Sequence, residues 1–315
     1  MKVAVLDDYL QVAKAMAPWR ERLPEAEITY FRDHLGGTEQ AAVALRDFEV
    51  VVAMRERTAF PRELLSQLPQ LRLLVTTGMR NAAIDVAAAK ELGVTVCGTG
   101  ADGATTSELT WALILALLRP AQLDDAHMRD GGWQRQLGGD LGGRTLGLVG
   151  LGRQGARVAR VAHAFDMNVI AWSPHLTKER AAEHGAECVT KHEVFERADV
   201  ASVHLVLSDA TRRIVGEPEL RALGPDSYLV NTARADLVDQ AALRRALTGG
   251  WIAGAGLDVY DIEPLPRDHW LRTAPRTVLS PHMGYVSARG YRVFYGDAVE
   301  DIEAYLRGEP IRALP

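Results

Sequence analysis

Short apolar stretches recur through residues 1–100 and alternate with segments whose apolar positions fall three and four apart. Residues 2–6, 28–31, 50–54, 71–76 and 94–97 are of the first kind, rich in Val, Leu and Thr, and read as strands. Residues 38–45 and 61–68 are of the second kind and read as intervening helices. Such alternation predicts a parallel sheet with right-handed crossovers.

After a Gly-rich crossing at 98–103 the pattern changes. Residues 105–119 read as a helix that is apolar almost all round, from Leu109 and Trp111 to Leu118. A helix without a polar face must be covered on every side, by a second domain or a second subunit. Residues 120–143 hold several glycines and Trp133 but no strong periodicity, so an arm or loop is expected there. Alternation resumes with strands at 145–149, 168–172, 201–207, 228–231, 254–259 and 277–280. Helices fill the gaps, including 239–247 with Asp239 as its N-cap. A last helix, 288–306, closes the chain, and its return to the first sheet would give two crossings and a hinge over a cleft. The expected organisation is one domain of 1–100 plus 287–315 and another of 101–286, as 315 residues suggest against ~150 per domain.

The second half opens on Thr145-Leu-Gly-Leu-Val-Gly-Leu-Gly-Arg-Gln-Gly155, a strand running through a Gly150-x-Gly152-x-x-Gly155 turn into a helix. Gly150 permits the tight turn, Gly152 lets backbone approach a pyrophosphate, and Gly155 allows close helix-to-strand packing. The helix N-terminus, with Arg153 and Gln154, then faces the phosphates. In this context the motif reads as dinucleotide binding. An acidic residue ~20 positions further on usually binds the adenosine ribose and repels a 2′-phosphate. Here the second strand ends in Ala171-Trp-Ser-Pro174 instead. Ser173, with His175, Lys178 and Arg180, could accept a 2′-phosphate, or those cations could lie on a solvated helix start with NAD held by other contacts. NAD and NADP both stay open.

Three ionisable residues follow strand ends in the second half: Arg234, Glu263 and His282. Ligands of open α/β sheets bind beyond the carboxyl ends of strands, so all three point at the nicotinamide crevice. Carbonyl reduction needs a proton donor, a positive charge on the carbonyl oxygen and a partner that tunes the donor. His282 can donate the proton, Glu263 can orient it and favour the imidazolium, and Arg234 can fork onto a carboxylate and a carbonyl. Among the nine histidines, His34, His127, His163, His184, His192 and His269 are expected to be structural, while His204 lies in a strand beside the coenzyme or is simply packed. In the first half, loops Arg55-Glu-Arg-Thr58 and Thr77-Gly-Met-Arg-Asn81 follow strands. Arg55, Arg57 and Arg80 there are either an anion grip or solvated charges.

Composition adds exclusions. Net charge is −5 with scattered basic residues, which gives no electrostatic case for nucleic acid. The apolar run 109–118 is far too short for a bilayer, which needs ~20 residues. No signal-peptide pattern opens the chain, and Cys97 and Cys188 make neither a disulfide framework nor a metal spacing, so a reduced, cytoplasmic setting is expected.

Gly150-Leu-Gly-Arg-Gln-Gly155, Asn231-Thr-Ala-Arg-Ala-Asp-Leu-Val-Asp239, Leu257-Asp-Val-Tyr-Asp-Ile-Glu-Pro264 and Ser280-Pro-His-Met-Gly284, in this order, resemble the D-isomer-specific 2-hydroxyacid dehydrogenases. Thr76-Thr-Gly-Met-Arg-Asn-Ala-Ala-Ile-Asp85 resembles that family's substrate loop, with altered glycines, and Ser107-Glu-Leu-Thr-Trp-Ala-Leu its interdomain helix. The resemblance spans nearly the whole chain. It implies two doubly wound parallel-sheet α/β domains, a flavodoxin-like substrate domain and a Rossmann nucleotide-binding domain. It also implies a catalytic trio carried by Arg234, Glu263 and His282. Substrate carboxylate would be held by backbone N–H groups around Gly78, Met79 and Arg80. Further coenzyme contacts would come from His204, Val206, Thr211, Thr232, Ala233, Asp258 and Gly284, and a homodimer would form through the 105–143 helix and arm. Ala235 replaces the family's usual Gly after the arginine, and Tyr285 stands where a small residue is common and narrows the pocket. Arg57 sits in a loop resembling one that contacts substrate phosphate in phosphoglycerate dehydrogenases. The expected activity is NAD(P)-dependent interconversion of a small 2-keto acid and its D-2-hydroxy acid. The alternatives are an NAD(H)-sensing corepressor-like module without turnover and, less compatible with Glu263, a formate-type dehydrogenase.

Overall fold

The computed structural model describes residues 1–315 and divides into two compact units, Met1–Asp102 with Val286–Pro315, and Gly103–Tyr285. In the first, strands β1 (Lys2–Val5), β2 (Glu27–Tyr30), β3 (Val50–Ala53), β4 (Leu73–Thr76) and β5 (Thr95–Gly98) form one sheet in the order β2-β1-β3-β4-β5. All pairs are parallel, which is the doubly wound order with its switch point between β1 and β3. β3 and β4 are buried throughout because Val-Val-Val-Ala and Leu-Leu-Val-Thr carry nothing that needs solvent on either face.

The helix Ala288–Leu306 belongs to this unit and buries Tyr291, Phe294, Tyr295, Ala298 and Ile302. Tyr295 packs on Trp19 with ring centroids 6.0 Å apart. The tail beyond it returns to β5, an outer strand. Gly98 donates to the Arg312 carbonyl at 3.0 Å and Leu314 donates to the Val96 carbonyl at 2.8 Å. Arg312 is tied down by Asp301 at 2.9 Å and by Glu300. Burial pushes the Asp301 carboxyl up to about 7, although Arg312 pulls the other way.

In the second unit, β6 (Thr145–Val149), β7 (Asn168–Trp172), β8 (Glu187–Cys188), β9 (Val200–Val203), β10 (Tyr228–Asn231), β11 (Gly254–Leu257) and β12 (Thr277–Leu279) form a parallel sheet in the order β12-β11-β10-β9-β6-β7-β8. The order reverses between β6 and β9, so this switch point lies at the carboxyl end of the Gly-rich strand. The helix Thr105–Leu118 lies on β10, β11 and β12. β11 admits it through small residues: a Cβ added at Gly256 would stand 3.1 Å from the Leu113 Cβ. Asp239 caps the helix Gln240–Gly249 by accepting from Ala242 N at 2.9 Å.

Several expected boundaries move. Residues 120–143 are not loop throughout, because Ala121–Arg129 forms a helix that starts behind Pro120 and buries none of its residues. A helix without a buried face leaves a weak periodic signature. The apolar run 201–207 leaves the sheet at Val203, and Val206 is 79% exposed. β11 likewise ends at Leu257, two residues before its apolar pattern does. No helix is long and apolar enough to cross a membrane.

Candidate functional site

The glycine turn is shaped by three different constraints. Gly150 has φ +109°, and a Cβ there would stand 2.9 Å from the His204 carbonyl carbon and Leu205 nitrogen. A Cβ at Gly155 would fall 2.2 Å from the Gly150 oxygen, so any side chain would push the helix off the strand. A Cβ at Gly152 would meet nothing within 4 Å, which leaves this face of the turn open. Gly152 is also the N-cap of the helix Arg153–Ala164 and supplies no side-chain acceptor, so the first amides face outward. The buried Gln154 Oε1 has no partner beside them. Open backbone donors, a helix N-terminus and an orphaned polar atom together fit a dinucleotide pyrophosphate.

Other expected coenzyme residues follow strands of the same sheet. Ser173 follows β7 and is half-buried. The His204 ring lies behind the turn with Nε2 2.9 Å from Ser202 Oγ, and burial lowers its pKa to about 4, so it is neutral at pH 7. Thr211 closes its own loop by donating to the Val206 carbonyl at 2.7 Å. The Thr232 hydroxyl stands 2.8 Å from that of Thr110, and the Ala233 amide donates to Asn231 Oδ1 at 3.0 Å.

Glu263 and His282 come from two different strand-end loops and meet. His282 Nδ1 stands 2.5 Å from Glu263 Oε2, and Glu263 Oε1 accepts the Tyr260 amide at 2.9 Å. Burial would raise the Glu263 carboxyl, but the His282 hydrogen bond and the charges of His282 and Arg234 outweigh it and hold it below the usual range. Arg234 follows β10, and its Nη1 donates to the Ala233 carbonyl at 2.8 Å. It caps no helix with its side chain. Tyr285 packs edge-on against the imidazole, centroids 5.5 Å apart. Thus one charge field holds guanidinium, carboxylate and imidazole, and the contact with Glu263 engages only Nδ1 of His282.

Asp258 and Gly284, both expected at the coenzyme, bond to each other: Gly284 N donates to Asp258 Oδ2 at 2.8 Å and Met283 N to Oδ1 at 2.7 Å. Thr106 and Thr110, on the apolar helix, were missed by sequence reasoning. Thr106 donates to the Gly284 carbonyl at 2.8 Å. Two threonines four apart at the polar start of that helix, ahead of its apolar run, were the available signal.

In the first unit, the loop after β4 is built around Gly78 at φ +90°. Its amide already donates to Thr99 Oγ1 at 2.8 Å, leaving the amides of Met79 and Arg80 as the loop's outward donors. The Arg55 guanidinium lies across Gly78 and donates to the Thr77 carbonyl at 2.9 Å. Arg57 turns elsewhere, donating to the Asp7 carbonyl at 3.0 Å and stacking 4.6 Å from the Tyr9 ring centroid. Arg80 is exposed.

Comparison with known proteins fits this geometry. Residues 111–284 match the family model described as D-isomer specific 2-hydroxyacid dehydrogenase, NAD binding domain. A glyoxylate reductase of Aeropyrum pernix is 38% identical over 257 residues, covering 78% of this chain and 77% of that one. The chain belongs to the D-isomer-specific 2-hydroxyacid dehydrogenase family. This dehydrogenase is also 34% identical over 275 residues to D-3-phosphoglycerate dehydrogenase of Methanocaldococcus jannaschii, and spans about half of that relative's length, 52%. The crystal structure of a phosphoglycerate oxidoreductase from Vibrio cholerae superposes with a TM-score of 0.93 at 36% identity, over 98% of this chain and 99% of that one. As a member of the family this dehydrogenase is an oxidoreductase that uses a nicotinamide coenzyme.

Proposed function

We propose that this dehydrogenase reduces a small 2-keto acid to its D-2-hydroxy acid, and runs the reverse oxidation, with His282 as general acid and base. The observation that carries this is the Glu263–His282 contact at 2.5 Å, with the charge of Arg234 acting on the same carboxylate. Gly150, Gly152, Gly155 and the first amides of Arg153–Ala164 would hold the coenzyme pyrophosphate, with Ser173 beside the adenosine ribose. When bound, the nicotinamide supplies or accepts the hydride at the substrate's C2. His282 Nε2 delivers the proton to the carbonyl oxygen as it gains charge. Glu263 fixes the ring so that Nε2 is the free nitrogen and stabilises the imidazolium before transfer. Arg234 polarises the carbonyl and pairs with the substrate carboxylate. Tyr285 limits the size of the acid's side group.

Glyoxylate, hydroxypyruvate and phosphohydroxypyruvate, each assayed with NADH and with NADPH, test the reading. Turnover of at least one keto acid is expected, with His282→Ala and Arg234→Ala each lowering kcat/KM by at least ~10²-fold. Coenzyme binding without turnover on any of them, or near-normal rates in either variant, would overturn it.

A further inference from the structure

We infer that Thr106 and Thr110 are positioning residues that hold the Arg234 turn and the His282 turn in fixed register through one continuous chain of hydrogen bonds. The inference rests on Arg234 and His282 acting on one substrate, as proposed above.

Thr110 lies in the helix Thr105–Leu118 and is fully buried, 0% exposed. A threonine in a helix often bonds back to the carbonyl four residues earlier and is then satisfied. Thr110 does so, donating to the Thr106 carbonyl at 2.8 Å. Its oxygen has a further contact, because the buried Thr232 hydroxyl stands 2.8 Å away. A hydroxyl carries one proton. That of Thr110 is given to the Thr106 carbonyl, so Thr232 is the donor to Thr110. Thr106 departs from the back-bonding pattern altogether. Its hydroxyl reaches off the helix and donates to the Gly284 carbonyl at 2.8 Å.

The chain therefore runs from the Thr232 hydroxyl to Thr110, from Thr110 to the backbone of Thr106, and from the Thr106 hydroxyl to Gly284. Its two ends are placed alike. Thr232 stands two residues before Arg234, and Gly284 two residues after His282. Both ends are parts of tight turns. Asn231, itself buried, accepts the Ala233 amide at 3.0 Å and donates to the Arg234 carbonyl at 2.9 Å, so a shift of Thr232 moves Arg234 with it. The His282 amide donates to the Ser280 carbonyl at 3.0 Å. A Cβ at Gly284 would stand 3.3 Å from Thr106 Cγ2, so the backbone of this turn lies against the helix.

The turns follow β10 and β12, which are not neighbours, since β11 stands between them. No ladder joins the two strands, and the helix supplies the link. It is a firm reference, burying Trp111, Leu113, Ile114 and Leu118. Trp111 Nε1 also donates to the Val158 carbonyl at 3.3 Å, on the helix that follows the glycine turn. Valine would fill the place of either threonine with the same shape and no polar atom to desolvate, so the hydroxyls are retained at a cost that their bonds must offset.

Thr106→Val and Thr110→Val cut the chain while keeping side-chain shape; Thr106→Ser and Thr110→Ser keep the hydroxyl and lose the methyl. Each valine variant, assayed at saturating coenzyme, is expected to lower kcat for keto-acid reduction at least ~10-fold, the scale on which displaced catalytic groups act. Each serine variant should run close to wild type. The double valine variant should be no slower than the slower single one, because one break already uncouples the turns. Unaltered kcat in the valine variants overturns the inference, whatever happens to Tm or to coenzyme Kd. Serine variants as slow as their valine counterparts would assign the effect to packing and also overturn it. So would a double variant whose losses multiply, which would make the two ends independent. If Thr110→Val does not fold, Thr106→Val breaks the same chain at its other end, and unaltered kcat there is decisive. His282→Ala runs in parallel. If it keeps turnover, the assignment of the acid fails, whereas an inactive His282→Ala beside valine variants of normal kcat sinks the link alone.

Discussion

His282 Nδ1 and Glu263 Oε2 stand 2.5 Å apart, and the second Glu263 oxygen is held by the Tyr260 amide at 2.9 Å. The carboxylate is therefore fixed through both of its oxygens. Glu263→Gln keeps the volume and an acceptor but removes that charge. It should lower kcat/KM by at least ~10-fold and bring the alkaline limb of keto-acid reduction to lower pH, because the imidazolium loses a partner. A pH–rate series on wild type and variant checks both; superimposable profiles would show that the contact does not tune the proton donor.

Gly152 and Gly155 should separate binding from folding. Gly155→Ala places a methyl 2.2 Å from the Gly150 oxygen and should lower Tm along with coenzyme affinity. Gly152→Ala meets no protein atom within 4 Å, so Tm should stay unchanged. Its methyl would stand where backbone meets pyrophosphate, and Kd for the coenzyme should rise at least ~10-fold, equivalent to ~1.4 kcal/mol. Thermal scans and fluorescence titrations of the two variants read these effects independently.

Ser173 occupies the position after β7 where an acidic residue would exclude a 2′-phosphate. Ser173→Asp should shift the ratio of kcat/KM for NADH over NADPH upward by at least ~10-fold, by repulsion of the phosphate. Parallel steady-state assays with both coenzymes measure it, and an unchanged ratio would place the ribose away from this residue.

Asp301, although paired with Arg312, sets a pH dependence of opposite sign to carboxylates whose partners lower their pKa, because burial outweighs the pair. Its pKa is raised in the folded protein to about 7 from an ordinary 3.8, so the folded state binds the proton more tightly. Its contribution to stability is complete below the unfolded value and is lost as pH rises through the folded one. The difference in Tm between wild type and Asp301→Asn should therefore move against wild type between about pH 4 and about pH 7. Calorimetry across that window checks the sign.

Gly78 illustrates a prediction on stability alone. With φ +90° and Arg55 Nη1 only 2.0 Å from a would-be Cβ, Gly78→Ala must displace a guanidinium and adopt an unfavoured backbone. A loss of about 1–3 kcal/mol in chemical denaturation is expected.

Much of this architecture was legible because its signals are local. The Gly150–Gly155 turn, the apolar strands and the Asp239 cap each depend on neighbouring residues, and the parallel pairing of the sheets follows from alternation, although their strand orders do not. Glu263 and His282 were legible as a pair only because both follow strand ends. What escaped depends on contacts between distant segments. Nothing near Thr106 announces the Gly284 carbonyl, and nothing near Gly78 announces that Thr99 takes its amide. Arg55 and Arg57 stand two apart in one loop, yet one lies across Gly78 and the other on Tyr9. The run at 204–207 misled because apolar character was read as burial, whereas Val206 is 79% exposed.

The last residues, by lying along β5 through the Gly98–Arg312 and Val96–Leu314 hydrogen bonds, give that strand a neighbour it would otherwise lack. Trimming them, or pulling them away with a fused purification handle, would bare a row of unpaired amides and carbonyls. Such a row invites another molecule to add its own strand, so clumping during purification is the hazard to watch for, and handles belong on the other terminus.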